Sequence, residues 1–192
     1  ETTINKIAAG EVVERPASVI KELIENSIDA SATNIEVEIG DGGVAYMRIT
    51  DNGIGMTEED ARLAILRHAT SKIQHVEDLF DIASLGFRGE ALASIASVSH
   101  FSLTTRKADS DLGTRITVDG GTFTDCIPYG AAPGTTIEIR DLFYNTPARR
   151  KFLKTERTES SKIQDIVGKL ALSNPHISFK LIVDDRVAII TP

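Results

Sequence analysis

Three polar residues, Glu22, Asn26 and Asp29, lie on one side of a stretch whose other side is apolar. At about 100° per residue in a helix, the three fall within about 60° of one another. Asn and Asp are poor helix formers, and solvent-facing helices usually carry Lys and Glu pairs. A carboxylate that can hold water, one turn from an amide oxygen that can bind a hard cation, suits metal-assisted phosphoryl hydrolysis. The alternative is a solvated helix face, which is the common case for an amphipathic helix.

Two glycine-containing segments are further candidates for ligand contacts. Asp51 ends a predicted strand and is followed by Gly53 and Gly55, which allow close approach of the backbone, although most Asp-Asn-Gly sequences are simple turns. Residues 86–92 form a glycine-flanked helix start, whose free N–H groups suit phosphate, although many such glycines serve only as caps. Neither segment is a P-loop or a dinucleotide fingerprint, so the usual nucleotide motifs are absent from the sequence.

The elements that must position these residues alternate between helices and strands. Pro16 favours a helix start, and Thr57 with Asp60 predicts a capped helix. Predicted helices cover 16–30, 57–67, about 91–98 and 159–172; predicted strands cover 35–39, 44–50, 101–106, 114–118, 122–127, 135–140, 177–183 and 187–190. Residues 68–88 lack strong periodicity and are predicted to form a mobile segment, which in compact domains is usually a lid, a binding loop or a disordered stretch. Hairpins mixed with helices predict one α+β domain over residues 1–192, a two-layer α/β sandwich with a mixed, mostly antiparallel sheet.

The composition is that of an ordinary globular protein. The formal net charge is -7, so any DNA contact must be local or shared with a partner. The single cysteine, Cys126, is expected to be a small buried side chain in a reducing compartment. No segment has the apolar length of a membrane span, and the expected location is the cytoplasm.

Four stretches, taken in order, are similar to the four motifs of one ATPase superfamily. They are residues 22–30, 51–55, 86–92 and 134–136. The superfamily, whose fold is called the Bergerat or GHKL fold, unites type II topoisomerases, Hsp90 chaperones, sensor histidine kinases and MutL mismatch-repair proteins. Within it, residues 7–18, 68–72, 86–92 and 142–152 resemble hallmark segments of the MutL amino-terminal region, in their bacterial form.

The resemblance implies a role for each matching residue. Glu22 would be the general base that activates water, and Asn26 would ligate Mg²⁺. Asp51 would accept a hydrogen bond from the adenine amine, with Gly53 and Gly55 letting the base approach. Thr135 would reach the adenine side of the pocket. Further nucleotide contacts are implied at Asp29, Met56, Thr70, Lys72, Phe87, Arg88, Gly89, Glu90, Ala91 and Leu92.

The resemblance also implies a function, namely Mg²⁺-dependent binding and slow hydrolysis of ATP that switch the shape of the protein. In the family this cycle couples a MutS-type mismatch sensor to excision, through an ATP-dependent homodimer. A second domain that supplies a lysine to the γ-phosphate is expected beyond residue 192, so hydrolysis by this chain alone is expected to be impaired. DNA binding is expected to be weak and mainly outside this region.

Rival interpretations are left open by the sequence. One is a nucleotide-gated interaction module without turnover, and Glu22 is the residue that distinguishes it from an ATPase. A histidine kinase is disfavoured because no helix bearing a phosphoacceptor His precedes the motifs. The basic run at 149–151 could contact DNA phosphates or could be neutralised by the acidic domain.

Overall fold

Residues 13–66 and 90–192 are described by the computed structural model, and they form eight strands and five helices. The helices are α1 (Pro16–Asp29), α2 (Glu58–Ile65), α3 (Ala91–Ala96), α4 (Pro147–Phe152) and α5 (Glu156–Ser173). The strands are β1 (Asn34–Gly40), β2 (Tyr46–Asp51), β3 (His100–Arg106), β4 (Gly113–Asp119), β5 (Thr122–Tyr129), β6 (Gly134–Arg140), β7 (Ser178–Val183) and β8 (Arg186–Ile190). A 3₁₀ turn, Asp41–Gly43, joins β1 to β2.

All eight strands join one sheet in the order β5-β4-β3-β6-β2-β1-β7-β8. Every neighbouring pair is antiparallel except β1 and β7, which run parallel. The predicted α+β class with a mixed, mostly antiparallel sheet is therefore confirmed.

The two faces of the sheet differ in polarity, because side chains alternate along each strand. On one face, Met47, Ile139 and Phe101 form a buried apolar row across β2, β6 and β3. Ile49, Ile137 and Leu103 form the next such row. This face belongs to the same core as apolar side chains of α1, α3 and α5. The other face carries charged pairs such as Arg48 with Glu38 and Lys180 with Glu36. Among the described elements, helices thus cover one face of the sheet, as in a two-layer sandwich.

Helix α1 forms where the sequence predicts it. Pro16 occupies its first turn, and Ile20, Leu23 and Ile24 are fully buried. The backbone N–H of Ile54 donates to the carbonyl of Ala30, 2.9 Å away, which ties the end of α1 to the turn after β2.

Several local predictions need correction. The basic run at 149–151, which the sequence indicated to be part of a loop and turn, lies in the short helix α4. Helix α5 begins at Glu156, three residues earlier than predicted, because the Thr155 hydroxyl accepts the backbone N–H of Thr158 and caps it. Cys126 is not buried, since it lies partly exposed on the edge strand β5 with its Sγ 3.7 Å from Glu58 Oε1. The predicted mobile segment at 68–88 lies outside the described residues. None of the described helices is both long and apolar enough to cross a membrane.

Candidate functional site

A cavity of about 270 Å³ lies where α1 meets the ends of β2 and β6. Its walls come from α1, β2, β6, α2, the turn after β2 and the start of α3. The lining residues are Leu23, Asn26, Ser27, Ala30, Ile49, Asp51, Ile54, Gly55, Met56, Ala64, Leu92, Thr135 and Ile137. Apolar walls with a few converging polar groups are typical of sites for small organic ligands.

Polar side chains follow the apolar rows of the sheet, and two of them, Asp51 and Thr135, line the cavity. One layer beyond Ile49, Ile137 and Leu103, the same face carries Asp51 and Thr135 and, next in register, Thr105. Residues two apart on a strand share a face, so each of the three polar side chains follows an apolar side chain of its own strand on the same face. We refer to Asp51, Thr135 and Thr105 as the polar row.

The carboxylate of Asp51 is held by two hydrogen bonds from the protein. The Ser27 hydroxyl donates to Oδ2 at 2.6 Å, and the Gly53 backbone N–H donates to Oδ1 at 2.9 Å. An ionised carboxylate is purely an acceptor with several lone-pair directions, so each oxygen keeps capacity for a further donor. The cavity therefore presents a fixed, acidic acceptor at its floor.

Ser27 is a site residue that the sequence analysis missed. It is 3% exposed and lies on α1 one turn after the buried Leu23. A small polar residue on the apolar stripe of a helix was the available signal, because such a group needs a buried partner. Which partner it has follows only from the fold.

The glycines of the turn after β2 have a structural role that the sequence did not predict. Gly55 has a φ of +70°, and a Cβ there would lie 2.0 Å from the carbonyl oxygen of Arg106. A Cβ on Gly53 would lie 2.7 Å from the carbonyl oxygen of Ala30. The two glycines let the turn pack against β3 and the end of α1, and the approach of a base, which the resemblance implies for them, stays a prediction. Gly55 lines the cavity, but Gly53 does not.

Asn26 and Glu22 are separated by the structure although they lie one turn apart on α1. Asn26 lines the cavity. Glu22 lines a neighbouring groove between α1 and α5, together with Arg15, Lys21 and Lys162 among others. Four residues of helix correspond to about 6 Å along its axis. Asp29 is exposed and is not among the residues that line the cavity.

The predicted phosphate-binding segment is only partly described. Glu90 precedes α3, and Ala91 and Leu92 form its buried first residues. Of these, Leu92 lines the cavity, as does Met56 of the turn after β2. Thr70, Lys72, Phe87, Arg88 and Gly89 lie outside the described residues.

The residues around the cavity fit a magnesium ion that is shared with a phosphate ligand. Within 13–66 and 90–192, no group of three or more His, Cys, Asp or Glu is placed to hold a metal. Mg²⁺ commonly keeps several waters and is bound through one or two carboxylates together with substrate phosphates, and amide oxygens are also oxygen ligands of the kind that hard cations accept. Asn26 and Asp51 both line the cavity and end in an amide or a carboxylate, and of these two we take the Asn26 side-chain oxygen as the candidate ligand.

Comparison with known proteins places the chain in a family. Residues 14–122 match the family model described as histidine kinase-, DNA gyrase B- and HSP90-like ATPase. The chain belongs to this family of ATPase-type domains.

Within the family, the chain is similar to DNA mismatch repair protein MutL. It is 57% identical over 191 residues to MutL of Caldanaerobacter subterraneus subsp. tengcongensis, covering 100% of this chain and 32% of that protein. It is 54% identical to MutL of Xanthomonas axonopodis pv. citri, covering 94% of this chain and 29% of that protein. The chain thus spans about a third of the length of these relatives.

Solved structures agree with this placement. The ATPase domain of Aquifex aeolicus MutL complexed with ADP superposes with a TM-score of 0.74 and 38% identity, covering 93% of this chain and 64% of that chain. The N-terminal domain of a DNA repair protein superposes with a TM-score of 0.82 and 28% identity, covering 98% of this chain and 56% of that chain. The predicted resemblance to MutL proteins, and to bacterial ones, is confirmed.

Proposed function

We propose that this chain binds ATP with Mg²⁺ in the cavity beside α1 and hydrolyses it slowly to ADP and phosphate. The observation that carries the proposal is the Asp51 carboxylate, fixed by Ser27 and Gly53 at the floor of a cavity that Asn26 also lines. The similar Aquifex aeolicus domain, which was solved with ADP, supports a nucleotide as the ligand.

The floor of the cavity suits an adenine ring. Asp51 would accept a hydrogen bond from the exocyclic amine, and Thr135 would contact the same side of the base. Apolar walls from Ile49 and Met56 would enclose the flat faces of the ring. Guanine carries a carbonyl where adenine carries the amine, so it would face the Asp51 acceptor with another acceptor.

The opposite side of the site would handle the phosphates. Asn26 would hold Mg²⁺, which when bound neutralises phosphate charge. Glu22, one turn earlier on α1, would orient the attacking water and accept its proton as the water oxygen bonds to the γ-phosphorus. The bond between that phosphorus and the bridging oxygen breaks, and ADP leaves. The remaining predicted contacts, including Asp29, Gly53, Thr70, Lys72 and residues 87–92, stay proposals.

In the whole protein, we propose that this cycle acts as a conformational switch in DNA mismatch repair. ATP binding would favour association of two copies of the ATPase domain, which we take as residues 1–192, and hydrolysis would release them. The switch would couple a MutS-type mismatch sensor to excision in the bacterial cytoplasm. The net charge of -7 favours only weak DNA contact by this chain, and we propose that DNA is bound mainly through other regions of the protein.

A second candidate function is a nucleotide-gated interaction module without significant turnover. The observation that favours it is the position of Glu22, which lines the groove between α1 and α5 and not the cavity. The two candidates differ in what Glu22 does, so substitution of this residue separates them.

The test is Glu22→Ala in the full-length protein, with ATP binding and turnover measured side by side. We expect ATP binding to persist and turnover to fall by about 100-fold or more, since general base catalysis typically contributes that much. Glu25→Ala is the matched control, because Glu25 lies on the same helix and pairs with Lys21 at 3.6 Å. Parental turnover in the Glu22 variant would refute the assignment of Glu22 as the base. Failure of ATP and Mg²⁺ to raise the melting temperature of the parent would refute the binding proposal itself.

A further inference from the structure

Thr105 is the member of the polar row that none of the recognised motifs contains. It is 1% exposed, at the end of β3, and is paired in register with Thr135 of β6. Its hydroxyl lies 2.9 Å from the backbone nitrogen of Met56, 3.1 Å from the carbonyl oxygen of Gly134 and 2.9 Å from the Thr135 hydroxyl. One buried oxygen thus contacts the turn after β2 and two successive residues of β6.

The number of protons available decides the direction of these three bonds. A hydroxyl has one proton to donate and two lone pairs that accept. The Met56 N–H must donate to Thr105, and the Gly134 carbonyl can only accept. If Thr105 donates to Gly134, its second lone pair accepts the proton of Thr135, and all three contacts are hydrogen bonds. If Thr105 instead donated its proton to Thr135, no proton would remain between the Thr105 hydroxyl and the Gly134 carbonyl, and that contact would not be a hydrogen bond.

This assignment fixes the polarity of Thr135 at the cavity. Its single proton is directed at Thr105, so the lone pairs of its oxygen are what it offers to a ligand. Asp51, its register partner on β2, is also an acceptor. Two neighbouring acceptors at the floor favour a ligand group or a bridging water that donates hydrogen bonds, and they disfavour a ligand carbonyl, which is itself an acceptor.

We infer that Thr105 is a positioning residue that sets the base specificity of the site, by holding the Thr135 hydroxyl as an acceptor beside Asp51. The inference rests on the proposed function, since it presumes that a purine base reaches this floor. Without the Thr105 hydroxyl, Thr135 could rotate and donate to a carbonyl, so discrimination between an amine and a carbonyl would weaken.

The experiment compares the affinities of the protein for ADP and for IDP, whose base carries a carbonyl in place of the amine and an N–H in place of the neighbouring ring nitrogen. Thr135 is assigned to the exocyclic position, so the carbonyl is the group that a rotated Thr135 would meet. Thr105→Val removes the hydroxyl and keeps the shape, and we expect the preference for ADP over IDP to fall about fivefold, the size of one net hydrogen bond. Thr105→Ser keeps the hydroxyl and should restore the parental ratio. Thr114→Val is the matched control, because Thr114 pairs with Thr105 in register but lies on β4, one strand further from the cavity-lining Thr135.

A double-mutant cycle makes the test specific. Thr135→Val should lose the same preference, and the double variant should lose no more than Thr135→Val alone, because both changes remove one interaction. A Thr105→Val protein that keeps the parental ratio would overturn the inference, as would losses that multiply in the double variant. Thr105→Ala replaces Thr105→Val in the cycle if the latter does not fold. A parent that binds neither nucleotide would overturn the proposed function instead.

Discussion

The hydrogen-bond partners of Asp51 determine how an asparagine at this position would be oriented. The Gly53 N–H and the Ser27 hydroxyl both point at this group. An asparagine would turn its oxygen toward Gly53, which can only donate, and its NH₂ toward Ser27, which can rotate and accept. The fold should therefore tolerate the change, while the cavity exchanges an acceptor for a donor.

We predict that Asp51→Asn lowers the affinity for ADP by about tenfold or more, since hydrogen bonds to charged groups contribute about 1.5–3 kcal/mol. IDP binding should fall less, because the new donor can meet its carbonyl. Calorimetric titration of both nucleotides measures the two changes. Asp109→Asn, in the exposed loop between β3 and β4, is the control. Unchanged ADP affinity in Asp51→Asn would contradict the assigned role.

A second group of interacting residues lies at the start of β3 and the end of β4. The Tyr144 hydroxyl donates to Asp119 Oδ1 at 2.5 Å, the Tyr144 ring stacks on His100, and His100 Nδ1 lies 2.9 Å from the same carboxylate oxygen. The hydrogen bond from Tyr144 holds the pKa of Asp119 below its ordinary value of 3.8. Burial, followed by the bond to Asp119, raises the pKa of Tyr144 from 10.0 to about 12.

These shifts predict how the Tyr144 hydroxyl contributes to stability as pH changes. A lowered carboxyl pKa stabilises the fold above pH 3.8, and this contribution is lost as the pH falls through the folded-state pKa. A raised tyrosine pKa stabilises the fold below pH 10.0, and this contribution is lost as the pH rises toward about 12. The difference in urea midpoint between the parent and Tyr144→Phe should be present at pH 7 and shrink at both extremes. Tyr129→Phe on β5 is the control, and a pH-independent difference would contradict the prediction.

At the scale of single elements, the turn after β2 depends on Gly55, and helix α5 does not depend on Gly168. A Cβ on Gly55 would collide with the backbone of Arg106, whereas one on Gly168 meets nothing within 4 Å. Gly55 also has a positive φ, which disfavours any other residue by about 1–3 kcal/mol.

We predict opposite effects for the same substitution at these two positions. Gly55→Ala should lower the free energy of unfolding by at least about 2 kcal/mol through strain and displacement of the turn. Gly168→Ala should raise it by up to about 1 kcal/mol, because alanine favours the helix interior. Urea unfolding measures both. Equal effects of the two changes would show that the close contact between the turn and β3 does not form.

The elements themselves were largely predictable from the sequence, because their signals are local. Thr57 caps α2 by accepting the Asp60 N–H, as its spacing predicted. Asp184 and Asp185, with φ of 47° and 64°, turn the chain between β7 and β8 where the hairpin was expected. The existence of α4 was missed because its six residues carry no apolar face that is buried.

The site was predictable in part. Asn26, Asp51, Met56 and Thr135 do line one cavity, and their contact with a nucleotide stays a prediction. Ser27 and Thr105 were missed because their significance arises from register and helix packing, which bring residues 24 or more positions apart into hydrogen-bond contact. No local pattern encodes such pairs.

For the molecule as a whole, α1 is anchored to α5 by a buried charge. Glu159 is 1% exposed, and its Oε1 accepts the Lys154 N–H at 3.0 Å and lies 3.6 Å from Arg15 Nη1. Arg15 directly precedes α1 and retains 29% exposure of its side chain. Among the described residues, neither Glu159 Oε2 nor Arg15 Nη1 has a hydrogen-bond partner, and both atoms are buried, so the ion pair between Arg15 and Glu159 is what compensates their charges.

We predict that the two halves of this pair are not equivalent. Arg15→Ala leaves a carboxylate buried without its cation and should cost about 3 kcal/mol, within the range for broken buried pairs. Glu159→Ala leaves Arg15 without its carboxylate, but the partly exposed side chain of Arg15 can still reach water. We therefore expect this substitution to lower the free energy of unfolding by less than Arg15→Ala does, with a difference of about 1 kcal/mol or more. Urea unfolding at neutral pH compares them. A larger loss for Glu159→Ala would indicate that packing around Glu159, and not the charge of Arg15, secures α1.

The parallel pairing of β1 with β7 has a consequence for biosynthesis. Asn34 and Ser178 are register partners although about 140 residues separate them. While the ribosome is still making the intervening chain, one edge of β1 has unpaired N–H and C=O groups, and such edges invite aggregation. Contacts between sequence-distant segments also close slowly. The nascent chain would therefore be most exposed to aggregation until residues 178–183 have left the ribosome and paired with β1.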